Sequence, residues 1–145
     1  EQYGNAKKAI DFYTSIFPNS KIHHQELYKA GEPGTEGYLK FGHFTLHNEI
    51  FAAMDGPGNH EFTFTEGLSL VVECENQKEI DTYWEKLTEG GRESQCGWLK
   101  DQFGVSWQIV PTVLGKLMSD PNKAERVMKV ILQSVKFNIT ELENA

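Results

Sequence analysis

Five histidines, two cysteines and a few carboxylates on strand-like runs carry whatever chemistry this chain can perform. His23 and His24 are adjacent in KIHHQELY, a run that reads as a strand, and neighbours on a strand point to opposite faces. His43 and His47 would stand about 13 Å apart on a continuous strand, or would flank a turn. Neither pair sits on a helix, where HxxxH spacing converges on an ion. His60 lies in a polar loop, so all five read as exposed or hydrogen-bonded structural histidines. Cys74 shares an apolar strand face with Leu70 and Val72, the setting of an inert buried thiol. Cys96 precedes Gly97-Trp98 with no His or basic neighbour to favour a thiolate, and it too reads as structural. Glu73 shares a face with Ser69 and has the type of a general base, although a carboxylate at a strand end is ordinarily a solvated one.

The stretch that must position such groups is QCGWLKDQFGVSWQIVP, residues 95 to 111. It reads as strand, turn and strand: Asp101 opens the turn, and Gly104 is free to take a positive φ. Beyond the turn, Val105, Trp107 and Ile109 alternate with Ser106, Gln108 and Val110, giving one face for packing and one for a polar cavity. Trp98 and Trp107 read as core and cavity walls, and aromatic walls with a few polar groups suit a small organic ligand.

Upstream, NAKKAIDFYTSIF places Ala9, Ile10, Tyr13, Ile16 and Phe17 on one helical face, with Asn5 as N-cap candidate. Strands are expected over 21–28, 37–46 and 49–55, and a Gly/Pro-rich linker over 56–67. LSLVVEC follows, with Leu68, Leu70, Val72 and Cys74 expected on one face and Ser69, Val71 and Glu73 on the other. Residues 76–89 then form a helix that Asn76 and Glu79 cap and Gly90-Gly91 stop. Further strands are expected over 92–97, 98–101 and 105–110. Lys8-Ala9-Ile10-Asp11-Phe12-Tyr13 parallels Lys78-Glu79-Ile80-Asp81-Thr82-Tyr83, which suggests a duplicated unit rather than a solenoid. If both units are βαβββ, the first lacks its opening strand. After Pro111, a helix capped by Asp120 with Pro121 at its first position carries an apolar stripe of Ala124, Val127, Met128, Ile131, Leu132 and Val135, for core or dimer packing.

At 145 residues, the chain fits one domain with a core of its own. A net charge of -7, with no basic stripe, argues against nucleic acid and anionic membranes as partners. No apolar run approaches the roughly 20 residues of a membrane span. Two cysteines without a CxxC pair, and no signal-peptide pattern, fit a cytoplasmic protein.

The order βαβββ twice, the opening GNAKKAIDFYTSIFPNSKI, the strand end FAAMDGP and above all QCGWLKDQFGVSWQIVPTVLGKLMSDP resemble the PhnB-like branch of the vicinal oxygen chelate (glyoxalase/bleomycin resistance/dioxygenase) superfamily, a branch often labelled 3-demethylubiquinone-9 3-methyltransferase. The resemblance covers essentially the whole chain. It implies an α+β fold, with two βαβββ modules forming curled mixed sheets around a cavity, plus C-terminal helices. Residues 1–145 would be a single domain, with modules at 1–55 and 68–111 and a helical extension at 112–145, and the protein a homodimer.

In metal-dependent members of that superfamily, ligands come from cavity-facing strand positions. Carried over, the first ligand falls before Glu1, the nearest carboxylate in FAAMD is Asp55, a histidine position falls at Ser69, and the last carboxylate position holds the neutral amide of Gln108. The expectation is therefore a metal-free protein without cofactor that binds a small molecule in a cavity lined by Ser69, Trp98, Gln108 and Phe51. The alternative is a lyase, isomerase, dioxygenase or thiol transferase using one divalent metal ion on Asp55, Glu73 and Gln108. The methyltransferase label is not expected to hold, since no Gly-rich strand-to-helix turn is present for S-adenosylmethionine.

Overall fold

Helix α1, Ala6–Ile16, forms where the apolar spacing places it, and buries Ile10 and Tyr13. The computed structural model describes residues 3–58 and 60–145; Glu1, Gln2 and Asn59, the last within the expected linker, lie outside the described residues. The chain divides into two units, Glu1–Thr63 and Phe64–Ala145.

In the first unit, α1 is followed by strands β1 (Lys21–Leu27), β2 (Leu39–Leu46) and β3 (Glu49–Ala53), an antiparallel sheet in the order β1-β2-β3. The β2–β3 hairpin turns on His47 and Asn48, both at positive φ (49° and 69°), the backbone that matches the right-handed twist of paired strands. Gly42, Phe44 and Leu46 are buried, and a methyl group on Gly42 would stand 2.5 Å from Ile10 Cδ1, so helix and strand are in close contact there.

Asn5 does not cap α1 as expected: its backbone is already helical and its side chain makes no capping hydrogen bond. The cap comes from Asp55, beyond β3. Its Oδ1 accepts from the Gly4 and Ala6 N–H groups at 2.9 and 3.2 Å, and its Oδ2 from Leu39 N–H at 3.0 Å. The first-turn donors of a helix have no partner within it, and a carboxylate there also suits the helix dipole. Asp55 thereby joins the start of α1 to the start of β2.

In the second unit, strand β4 (Leu70–Cys74) leads into helix α2 (Gln77–Thr88), and strands β5 (Arg92–Glu93), β6 (Trp98–Lys100) and β7 (Ser106–Pro111) follow. The order is β4-β7-β6-β5, with β4 parallel to β7 and the other pairs antiparallel. A parallel neighbour requires a crossover, and α2 supplies it. The expected cap is present in a shifted form: Asn76 Oδ1 accepts from Glu79 N–H at 3.0 Å, while Glu79 Oε2 reaches back to Glu75 N–H, one residue before the N-cap, at 2.8 Å. Ile80, Trp84 and Leu87 of α2, with Cys74, Leu99, Trp107 and Ile109 of the sheet, form the core. Leu68, expected with them, is 72% exposed because β4 begins only at Leu70.

Helices α3 (Val113–Ser119), α4 (Ala124–Gln133) and α5 (Ile139–Glu143) belong to this second unit. The helix expected to start at Pro121 starts at Ala124, because the Asp120 carbonyl accepts from both Lys123 and Ala124 N–H and makes residues 120–123 a tight turn. The stripe splits as well: Val127 is fully buried, whereas Met128 and Leu132 are exposed. Cys96 and Gly97 donate their N–H groups to the Ser134 and Val135 carbonyls, both at 2.8 Å, which ties the segment after α4 to the start of β6. The whole is a mixed α+β architecture of one antiparallel and one mixed sheet with C-terminal helices.

Candidate functional site

Gln108 occupies the middle of the second sheet, with Val71 of β4 paired to it on one side and Trp98 of β6 on the other. Residues directly opposite in a sheet share a face. Leu99, Trp107, Ile109 and Cys74 are buried on the side that meets α2, so alternation turns Ser69, Val71, Glu73, Trp98, Lys100, Ser106, Gln108 and Val110 to the other side. On this open face, Gln108 Nε2 donates to Ser69 Oγ at 2.8 Å. Trp98 is half-buried beside the pair, and Val71 is exposed. Three of the four residues expected to line a ligand site therefore meet on one surface. Phe51, the fourth, belongs to the first unit, where its ring stacks on Phe44 with centroids 5.8 Å apart.

The face also holds groups that the sequence reading did not select. Arg92 pairs with Lys100 across β5 and β6, and Lys100 pairs with Ser106 across β6 and β7. Glu66, on the turn before β4, bridges both cations, at 2.5 Å to Lys100 Nζ and 3.2 Å to Arg92. The Lys100 hydrogen bond holds the Glu66 carboxyl below its usual range, with the Arg92 bond a smaller contribution. Ser106 is buried, and its Oγ has no hydrogen-bond partner among the described residues. The i, i+2 spacing of Trp98 and Lys100 was the one sequence signal for this group; Arg92 and Glu66 depend on a pairing that sequence spacing does not reveal.

Asp101 anchors the geometry. Its Oδ1 accepts from Phe103 and Val105 N–H at 2.8 and 3.0 Å, closing the expected turn with Gly104 at φ 85°, and its Oδ2 accepts from the indole of Trp107 at 2.7 Å. One buried carboxylate thus fixes the turn between β6 and β7 together with the tryptophan beneath Gln108.

The histidines depart from expectation at one point. A β-bulge between Ile22 and His24 places two residues of β1 against one of β2. As a result, His23 and His24 do not diverge: the His23 ring lies 5.3 Å from that of His43, and the His24 ring 6.4 Å from Phe41, on the same side of the strand pair. Among the described residues, no group of three or more His, Cys, Asp or Glu side chains is placed to hold a metal ion. Of the alternative ligands, Asp55 is committed to three backbone N–H groups, Gln108 is bonded to Ser69, and Glu73 is exposed on β4.

Burial pushes the Cys74 thiol up from 9.0 to about 12, with a smaller contribution from Glu79. The folded state therefore holds this proton where an unfolded chain would release it, and stability falls as pH rises from about 9 towards 12. Alkylation at mildly alkaline pH is expected to modify Cys96 first and Cys74 only after denaturation. Equal labelling rates for the two thiols in the native protein would contradict that burial.

This α+β fold is shared with solved structures. A PhnB protein of Bacillus cereus is 39% identical, with a TM-score of 0.74, over 76% of this chain and 93% of its own. A Pseudomonas aeruginosa protein (17% identity, TM-score 0.65, 75% and 90% covered) and an Arabidopsis thaliana gene product (14%, 0.50, 74% and 89%) share the fold. No curated protein matches the chain. Residues 2–110 match the 3-demethylubiquinone-9 3-methyltransferase family, and the chain belongs to this PhnB-like family.

A methyltransferase would need a methyl donor such as S-adenosylmethionine, and the strand-to-helix turn does not suit one. Glu75 and Asn76 stand between β4 and α2 where a glycine-rich turn would be needed. Asn76 already occupies the Glu79 N–H in the first turn of α2, and Glu75 and Glu79 add negative charge there against a donor's carboxylate. No helix among the described residues is long and apolar enough to cross a membrane.

Proposed function

We propose that this protein is a metal-free, dimeric, cytoplasmic small-molecule binding protein whose ligand lies on the open face of the second sheet. The observation that carries the reading is the Gln108–Ser69 hydrogen bond beside Trp98, a polar pair on a partly apolar surface. Gln108 retains a carbonyl acceptor and a second amide proton, and Ser69 retains its hydroxyl proton, so the pair can answer both donors and acceptors. Trp98 and Val71 supply flat apolar contact. The metal-dependent alternative would have to find its ligands outside any cluster the described residues form.

Nuclear magnetic resonance titration with small aromatic compounds tests the reading. The amide signals of Val71, Trp98 and Gln108 are expected to shift together, and Gln108→Ala to weaken the binding about tenfold, the effect of losing one or two hydrogen bonds. Shifts confined to another surface, or unaltered in Gln108→Ala, would sink it. One tightly bound divalent ion per subunit, lost with Gln108→Ala, would favour the metal-dependent alternative instead.

A further inference from the structure

Arg92 and Lys100 stand side by side on the open face of the second sheet, and one carboxylate, that of Glu66, serves both. Among the described residues, both cations pair with Glu66, so two positive charges share one negative charge. Ser106, directly across from Lys100 and two residues before Gln108, is 2% exposed, with an Oγ that has no partner among the described residues. A buried hydroxyl without a partner is uncommon, and this one stands opposite Lys100 and two residues before the amide of Gln108. Glu73 marks the opposite corner: it pairs with Val110, about 13 Å along β7 from Ser106 at strand rise. The face therefore runs from a basic end, past an amide and an indole, to an acidic end.

Glu66 is not built into the sheet. It lies on a turn held by a 3.3 Å bond from Gly67 N–H to Thr65 Oγ1 and a 3.4 Å bond from Leu68 N–H to Thr65 O, with its side chain 60% exposed. It can move into water without breaking a strand pair, and its charge is readily solvated there.

We infer that the ligand of this face is a small carboxylate with a planar apolar body, whose charged end replaces Glu66 on Arg92 and Lys100 while its body lies on Trp98 beside Gln108. This rests on the reading of the face as a ligand site and adds the chemical class. Glu66 is the occupant that the ligand displaces, so the free protein keeps its cations paired. An arginine and a lysine around one carboxylate give charge-assisted hydrogen bonds from two sides.

The test compares benzoate with benzamide, its neutral counterpart of the same shape, by resonance titration of the full chain. Benzoate is expected to bind more tightly and to lose affinity as salt is raised. Glu66→Gln, which removes the competing charge, should tighten benzoate about fivefold and leave benzamide unchanged, and Lys100→Met should weaken benzoate about tenfold. Arg92→Met, at a side chain 67% exposed, repeats that measurement if Lys100→Met disturbs the sheet. Benzamide binding as tightly as benzoate at Trp98 and Gln108, or benzoate affinity unmoved by Glu66→Gln, overturns the carboxylate assignment and leaves the ligand face standing. Neither probe moving the Trp98 and Gln108 signals overturns both.

Discussion

Gly97→Ala is expected to cost about 3 to 4 kcal/mol of stability, combining a left-handed backbone penalty with an overpacked contact. Gly97 has φ 80°, and a Cβ built there would lie 2.5 Å from Phe137 Cε2 and 2.9 Å from the Ile109 carbonyl oxygen. Phe137 is 2% exposed and can retreat only by taking the segment after α4 with it. That segment is held by the hydrogen bonds from Cys96 and Gly97, so the substitution should loosen the C-terminal helices from the sheet. A fall in melting temperature of about 10 °C follows for a domain of this size. Phe137→Ala alone should cost about 3 to 5 kcal/mol, and the double substitution less than the sum, because the truncated ring no longer meets the new methyl. Additive costs, or a Gly97→Ala loss below about 1 kcal/mol, would show that the packing is looser than these distances imply.

The contrast between Gly97 and Gly104 shows where the sequence was legible. Gly104 closes a turn that Asp101 opens three residues earlier, and the whole motif is written in DQFG, so its positive φ could be read in advance. The Asn76–Glu79 cap and the alternation of Trp107, Gln108 and Ile109 were legible for the same reason, since each depends on neighbours in the chain. Gly97 answers to Phe137, forty residues on, and nothing local announces that. Asp55 has the residue type of a metal ligand, yet its partners are the backbone N–H groups of Gly4, Ala6 and Leu39, and the bulge that gathers His23 and His24 exists only because β1 pairs with β2. In the candidate site the same division holds: the family resemblance pointed to Ser69 and Gln108 and strand alternation gave their face, whereas Arg92, Glu66 and the buried Ser106 needed the register of β5, β6 and β7.

Asp101→Leu is expected to be as damaging, at about 4 kcal/mol, although it replaces a buried charge with an apolar side chain of similar size. Such exchanges can be neutral when every polar partner is removed as well. Here the partners stay: the N–H groups of Phe103 and Val105 and the indole of Trp107 would each lose an acceptor, and the carboxylate is only 3% exposed, so water is poorly placed to replace it. Asp101→Asn separates the contributions. Its remaining oxygen can still serve the turn, but its amide nitrogen would face the Trp107 N–H, donor against donor, at a cost of about 2 kcal/mol. Trp107→Phe removes that conflict, so Asp101→Asn should cost markedly less in the Trp107→Phe background than in the native protein. Because Trp107 lies between Ser106 and Gln108, Asp101→Leu should also shift the Gln108 amide signal in whatever protein remains folded. Equal costs for Asp101→Asn in the two backgrounds would mean that the carboxylate serves the turn alone and that the position of Gln108 is set by the sheet without it.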